Sequence, residues 1–142
     1  MLTENWGSPV MVTRGRTHRV EELPGFIADL DGKPAGLITY EVVGDDCEIT
    51  SLNSLAEGKG IGSALVDAVK DTAVATGCRR LWLITTNDNT HALCFWQKRG
   101  FSLAAVYPGV IEQSRKIKPE IPLVGSDGIP IRDEIELEIF LG

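Results

Sequence analysis

The run Glu57-Gly58-Lys59-Gly60-Ile61-Gly62-Ser63-Ala64-Leu65 joins an apolar strand to an amphipathic helix through glycines at every second position. Glycine has no Cβ, so the chain can turn tightly there and successive N–H groups can converge on one anion. The open amides at the start of the helix add the positive end of its macrodipole. Such a turn suits a phosphate, although strand-to-helix turns also use glycine for sterics alone. Two phosphate loops do not fit. A Walker loop ends in Gly-Lys-Ser/Thr, and here Lys59 is followed by Gly60. A dinucleotide fingerprint opens a parallel unit near the start of a doubly wound domain, with an acidic residue closing the next strand. In this chain the next strand ends in Thr85, Thr86 and Asn87, and the segments before the loop read as hairpins.

The chain has 142 residues, which predicts a single domain, 1–142, able to bury a core. With 14 Lys and Arg against 20 Asp and Glu, its net charge is −6. This acidic balance disfavours nucleic acid and anionic membranes as partners and favours cationic acceptors such as amines. No apolar run reaches the ~18 residues of a membrane span, and Met1-Leu2-Thr3-Glu4-Asn5 lacks the parts of a signal peptide. Cys47, Cys78 and Cys94 have no metal-ligand spacing and read as reduced thiols, so a cytoplasmic protein with no metal is expected.

Gly25 to Leu30 and Ala35 to Val43 are β-prone runs joined by the hairpin signal Asp31-Gly32-Lys33-Pro34, and a third strand is expected from Cys47 to Leu55. Ile61, Ala64, Leu65, Ala68, Val69 and Ala73 recur at helical spacing until Gly77 ends the helix. Arg80 to Thr86 reads as a buried strand. A helix follows from near Asn89, where Asn87, Asp88 and Asn89 are good capping residues, to Gly100. Strands are expected over Phe101 to Val106 and over 131–141. In the latter, Ile135, Leu137, Ile139 and Leu141 alternate with Glu134, Glu136 and Glu138, giving one buried and one wet face. Pro108 to Pro130 is long for a structureless connection and reads as functional or interfacial.

The run Asn89-Thr90-His91-Ala92-Leu93-Cys94-Phe95-Trp96-Gln97-Lys98-Arg99-Gly100-Phe101 resembles the second signature of the GNAT acetyltransferase superfamily, with its spaced Asn, Ala, aromatic and Gly-Phe. The glycine loop resembles that family's first signature, Gln/Arg-x-x-Gly-x-Gly/Ala, with Glu57 at the Gln/Arg place, then Gly60 and Gly62. The resemblance covers Glu48 to about Phe101. It implies a mixed α/β sheet with splayed central parallel strands and acetyl-CoA as cosubstrate. It also implies that Leu52, Asn53 and Ser54 offer a strand edge to the pantetheine arm. The pyrophosphate is then expected over Gly58, Lys59, Gly60, Ile61, Gly62, Ser63 and Ala64, with the Asn89 side chain reaching the cosubstrate and Ala92 leaving it room. Val10-Met11-Val12-Thr13 can be a strand, but the strand and helix that usually open this fold are not found before it, so part of the acceptor site is expected to be missing or supplied by a partner.

By the same resemblance, Glu48 stands where some members carry the base that deprotonates the amine. Its alternative is a solvent-facing glutamate. A backbone N–H near Asn53 or Ser54 would polarise the carbonyl. Trp96 occupies the place that is often Tyr. An indole N–H donates a hydrogen bond but is no acid at ordinary pH, so Trp96 either assists the leaving sulfur or is a core aromatic beside Phe95, with Tyr40 or Tyr107 as other proton donors. His91 and His18 read as surface residues and Cys94 as packed. Arg115, Lys116 and Lys118 are a basic cluster that would touch the ribose phosphate, touch an acidic substrate or simply be solvated. The expected function is acetyl transfer from acetyl-CoA to an amine of a small molecule or protein. Two competitors stand beside it, a non-catalytic acyl-CoA binding or sensing domain and an interaction module that keeps only the fold. Exposed strand edges in a short chain leave room for a homodimer.

Overall fold

Gly32, at φ 79°, lies in the turn of the hairpin around which the first half of the chain is built. In the computed structural model β4 (Gly25–Leu30) and β5 (Lys33–Val43) are antiparallel, and β5 pairs in the same sense with β6 (Asp46–Ser54). The structure describes residues 2–4, 10–13, 16–19, 23–30, 32–54 and 60–141, with side chains from residue 23 onward except that of Leu30. Of the glycine loop, residues 55–59, including Gly58 and Lys59, lie outside the described residues.

The chain divides into two compact units: Met1–Pro9, Arg19–Trp82 and Phe140–Gly142 make the first, and Val10–His18 with Leu83–Ile139 make the second. In the first unit the strand order is β1-β4-β5-β6. Here β1 is Leu2–Glu4, antiparallel to β4 with Leu2 opposite Ala28. A strand therefore precedes Val10, where the sequence predicts none. Two further short strands, β2 (Val10–Thr13) and β3 (Arg16–Arg19), pair with each other and, but for Arg19, belong to the second unit. One face of the sheet is covered by α1 (Ile61–Thr76), which buries Ile61, Leu65, Val66, Val69 and Ala73 at helical spacing. Gly77 ends the helix at φ 89°, with its N–H on Val74 O and that of Cys78 on Ala73 O.

The strand β7 (Arg80–Thr86) runs from the first unit into the second, which continues with α2 (Thr90–Lys98), β8 (Ser102–Tyr107), α3 (Ile111–Ile117) and β9 (Glu134–Phe140). Gly100 at φ 92° turns the chain out of α2, and Phe101 N–H reaches back to Trp96 O at 3.1 Å. The expected loop 108–130 contains α3, a helix too short to show two turns of periodicity and stopped ahead of Pro119. The expected alternation in β9 fails. Glu134 is 2% exposed and Phe140 is 70% exposed. Ile135, Glu136, Glu138 and Ile139 are all intermediate, so neither face of this strand is open and the period of two does not sort them.

Candidate functional site

In the first unit, the end of β6 and the start of α1 are set by Gly36 on β5. A Cβ there would meet Ile61 Cγ2 at 2.8 Å, Leu65 Cδ1 at 3.0 Å and the Asn53 carbonyl oxygen at 3.0 Å, so the missing side chain lets the first turns of α1 lie directly on the sheet. Of the expected strand-edge residues, Leu52 pairs with Ile38 and is half-buried, while Asn53 and Ser54 are exposed at the end of β6. Gly60 stands at the N-cap of α1 with φ 72° and ψ 11°, a left-handed conformation, and a Cβ on it would meet nothing within 4 Å. The demand for glycine here is one of backbone angle, not of space.

Among the described residues no side chain caps α1, and its first turn carries no acidic residue. Its first helical bond runs from Ala64 N–H to Gly60 O at 3.0 Å. The amides of a helix's opening turn have no partner inside the helix, and here Ile61 is buried, Gly62 and Ser63 are half-buried and Ala64 is exposed.

The opposite face of this sheet is polar. Glu41 pairs with Glu48, Thr39 with Ser51 and Leu37 with Asn53, whereas Ile38 and Tyr40 point to the α1 side with Gly36. Glu48 is 5% exposed, so it is buried and not solvent-facing. The register slips between Thr39 and Tyr40, which pair with Ser51 and Ile49, so Thr50 is the extra residue of a β-bulge. As a result Thr39 Oγ1 lies 2.7 Å from Thr50 Oγ1 and 2.6 Å from Ser51 Oγ. This hydroxyl cluster is not read from the sequence, because a bulge leaves no periodic mark. On the α1 side of β6, burial, Cys78 and Glu48 together push the Cys47 thiol up to about 12. Burial, then Asp45 and Asp46, raises that of Cys78.

In the second unit Asn89 caps α2, its Oδ1 accepting the Ala92 N–H at 3.1 Å. The capping role expected of this stretch is realised, and the amide that Asn89 engages is that of the other expected contact, Ala92. Trp96 is 4% exposed and lies edge-on to Phe95 and to Phe101, with centroids 5.1 Å apart in both pairs. Tyr107 donates its hydroxyl to Glu136 at 2.6 Å. In the first unit, Tyr40 is 6% exposed and stacked on Phe26. Cys94, expected to be packed, is exposed on α2.

Arg115, grouped in the sequence with the basic cluster, is committed elsewhere. Its guanidinium donates to Pro122 O and Ile131 O, each at 2.8 Å, and pairs with Glu112. Asn87 clasps the same loop, donating to Pro130 O and accepting from the Arg132 and Asp133 amides. Asp133 in turn accepts the Gly109 N–H at 2.8 Å, which, with Arg132, holds its carboxyl below the usual range. The partners of Asn87 lie 43 to 46 residues away in the chain, and no local signal marks them.

A profile described as the acetyltransferase (GNAT) family matches residues 2–101. A Bacillus subtilis relative, "Uncharacterized protein YdhI", is 49% identical over 140 residues, covering 95% of this chain and 88% of its own length. A second from the same organism, "Uncharacterized protein YxbD", is 45% identical over 135 residues, covering 94% and 85%. Among solved structures, an IAA acetyltransferase from Bacillus cereus matches with a TM-score of 0.74 and 26% identity, over 86% of this chain and 80% of its own. A Bacillus subtilis acetyltransferase in complex with CoA shares the fold, with a TM-score of 0.73 and 22% identity over 86% and 79% of the two chains. The motifs around Gly60 and Asn89, the mixed α/β architecture and the match over residues 2–101 agree: the chain belongs to the GNAT acetyltransferase family.

Proposed function

We propose that this protein is an N-acetyltransferase that takes acetyl-CoA as cosubstrate and an amine, of a small molecule or a protein, as acceptor. The observation that carries the reading is the start of α1. A left-handed Gly60 leads into a helix of 16 residues that has, among the described residues, no capping side chain and no acidic residue in its first turn. The positive end of the helix dipole suits a pyrophosphate. Gly58 to Ala64 would lie under that group, with Lys59 adding a positive charge. The end of β6, at Leu52, Asn53 and Ser54, would pair with the amides of the pantetheine arm. Asn89 and Ala92 are assigned to the cosubstrate by the family pattern.

In the reaction Glu48 takes a proton from the ammonium form of the acceptor, directly or through water. The freed nitrogen lone pair attacks the thioester carbonyl, the C–N bond forms, and the C–S bond breaks. A backbone N–H at Asn53 or Ser54 steadies the charge on the carbonyl oxygen. The attacking nitrogen sheds its extra proton as the amide forms, and through water that proton neutralises the departing thiolate, with Trp96 limited to a hydrogen bond. The free thiols Cys47, Cys78 and Cys94 support a cytoplasmic setting. The exposed Leu103 and Val106 on β8 support a homodimer.

One observation favours a second reading, that of an acyl-CoA binding or sensing domain without transfer. Trp96 is packed between two phenylalanines, and the Tyr107 hydroxyl is bound to Glu136. Titration calorimetry with acetyl-CoA and a thiol-release assay across an amine panel separate the readings. A transferase binds and releases thiol, a sensor binds without release, and an interaction module does neither. Glu48→Gln is expected to lower kcat by about 100-fold while acetyl-CoA affinity stays the same.

A further inference from the structure

Glu41, Glu48, Thr39, Thr50, Ser51 and Asn53 share the face of β5 and β6 that α1 does not cover, and burial is graded along it. Thr39 is 0% exposed, Glu48 5% and Thr50 7%, whereas Ser51 is half-buried and Asn53 exposed. The strip therefore runs from a buried carboxylate, past three hydroxyls, to solvent.

The three hydroxyls carry three protons and make two bonds to one another, Thr39 with Thr50 and Thr39 with Ser51. One proton is left over. If Thr50 or Thr39 kept it, an unpaired donor would be buried, at a cost. The chain is therefore directed from Thr50 to Thr39 to Ser51, which leaves the Ser51 hydroxyl as the outward donor. Because Ser51 accepts from Thr39, its own O–H is polarised and donates more strongly.

We propose that this cluster is a hydrogen-bonding subsite for the acceptor, and that the acceptor is a small amine with a hydroxyl on its carbon chain. The inference rests on the acetyl-transfer reading and extends it. Ser51 donates to the ligand's oxygen, and Thr39 acts as a positioning residue that fixes the direction of that donor. Glu41 and Glu48 face each other across the strands, so the same face favours a cation. One alternation along a strand is about 7 Å, which places the ammonium and the oxygen on a chain of roughly four or five carbons.

The experiment uses a matched pair, 5-amino-1-pentanol and n-hexylamine, with the full chain. In wild type the KM for the amino alcohol is expected to be about tenfold below that for the alkylamine. In Ser51→Ala the ratio falls to about one. Thr39→Val lowers it partway and Thr39→Ser restores it, a pattern that a merely structural role would not give. Thermal melts identify a variant that does not fold, and Ser51→Ala, at a half-buried site, decides the matter if Thr39→Val is lost. A ratio unchanged by Ser51→Ala, or near one in wild type, overturns the proposal. If acetyl-CoA does not bind at all, the acetyl-transfer reading fails by itself. The subsite is then judged by saturation-transfer NMR of the two amines, where loss of the preference in Ser51→Ala supports it and equal signals overturn it.

Discussion

Gly60 holds its place through one dihedral angle. At φ 72° an L-residue with a Cβ is strained, although open space surrounds the position. Gly60→Ala is expected to cost about 1 kcal/mol of stability, read by denaturant titration. Acetyl-CoA affinity should fall about tenfold or more by calorimetry, because the amides after it would turn from their common target. Unchanged affinity would remove the main support for the acetyl-CoA reading. This residue was legible in the sequence, as were Gly77 and Gly100, because a left-handed exit or entry is a local demand that glycine answers. Thr39, Thr50 and Ser51 were not, since their union depends on a one-residue slip between strands that no run of letters encodes.

The helix α1 depends on a strand for its seat. Gly36→Val would drive a side chain into Ile61, Leu65 and the Asn53 carbonyl oxygen, and the helix must lift or tilt. A loss of roughly 1–3 kcal/mol is expected for such overpacking, together with weaker acetyl-CoA binding. A variant that keeps both values would show that the helix tolerates another seat. The loop after α3 has its own anchor in Arg115, whose planar fork reaches two carbonyls at once. Arg115→Ala should cost about 1 kcal/mol, since two carbonyls lose their donor. Arg115→Lys should recover little of it, because a point charge cannot span the same pair. Hydrogen exchange over 118–133 would report both. The elements themselves were readable from periodicity and turn residues, from β4 through β7, α2 and β8. The helix α3 and the true bounds of β9 were not, because seven residues carry too little pattern and the contacts that fix them are distant in sequence.

Across the whole molecule the three thiols divide by burial. Cys47 and Cys78 are buried and Cys94 is exposed. With Cys47 pushed from 9.0 up to about 12, its thiolate is scarce at neutral pH, and burial raises Cys78 as well. A thiol reagent at pH 8 is expected to modify one cysteine per native chain, Cys94, and all three in denaturant. Fast labelling of a second thiol in the native state would contradict the packing. The linkage has a definite sign. A thiol whose folded pKa is raised adds stability that is full below pH 9.0 and drains away as pH climbs toward about 12. Alkaline melts should therefore decline across that interval, and Cys47→Ala should flatten part of the decline. The acidic balance, −6 over 142 residues, foretold none of this. Net charge speaks to partners, and the fate of each thiol is decided by what the folded chain lays over it.

The bare α-carbon of Gly36 has a wider reach than its size suggests. It acts as a spacer of zero thickness, so the gauge between sheet and helix is fixed by an atom that never meets a reactant. Mutational surveys confined to the reacting groups would pass over it. Drift at that one point on β5 would move the start of α1, the proposed seat of the cosubstrate, without altering a single residue assigned to it.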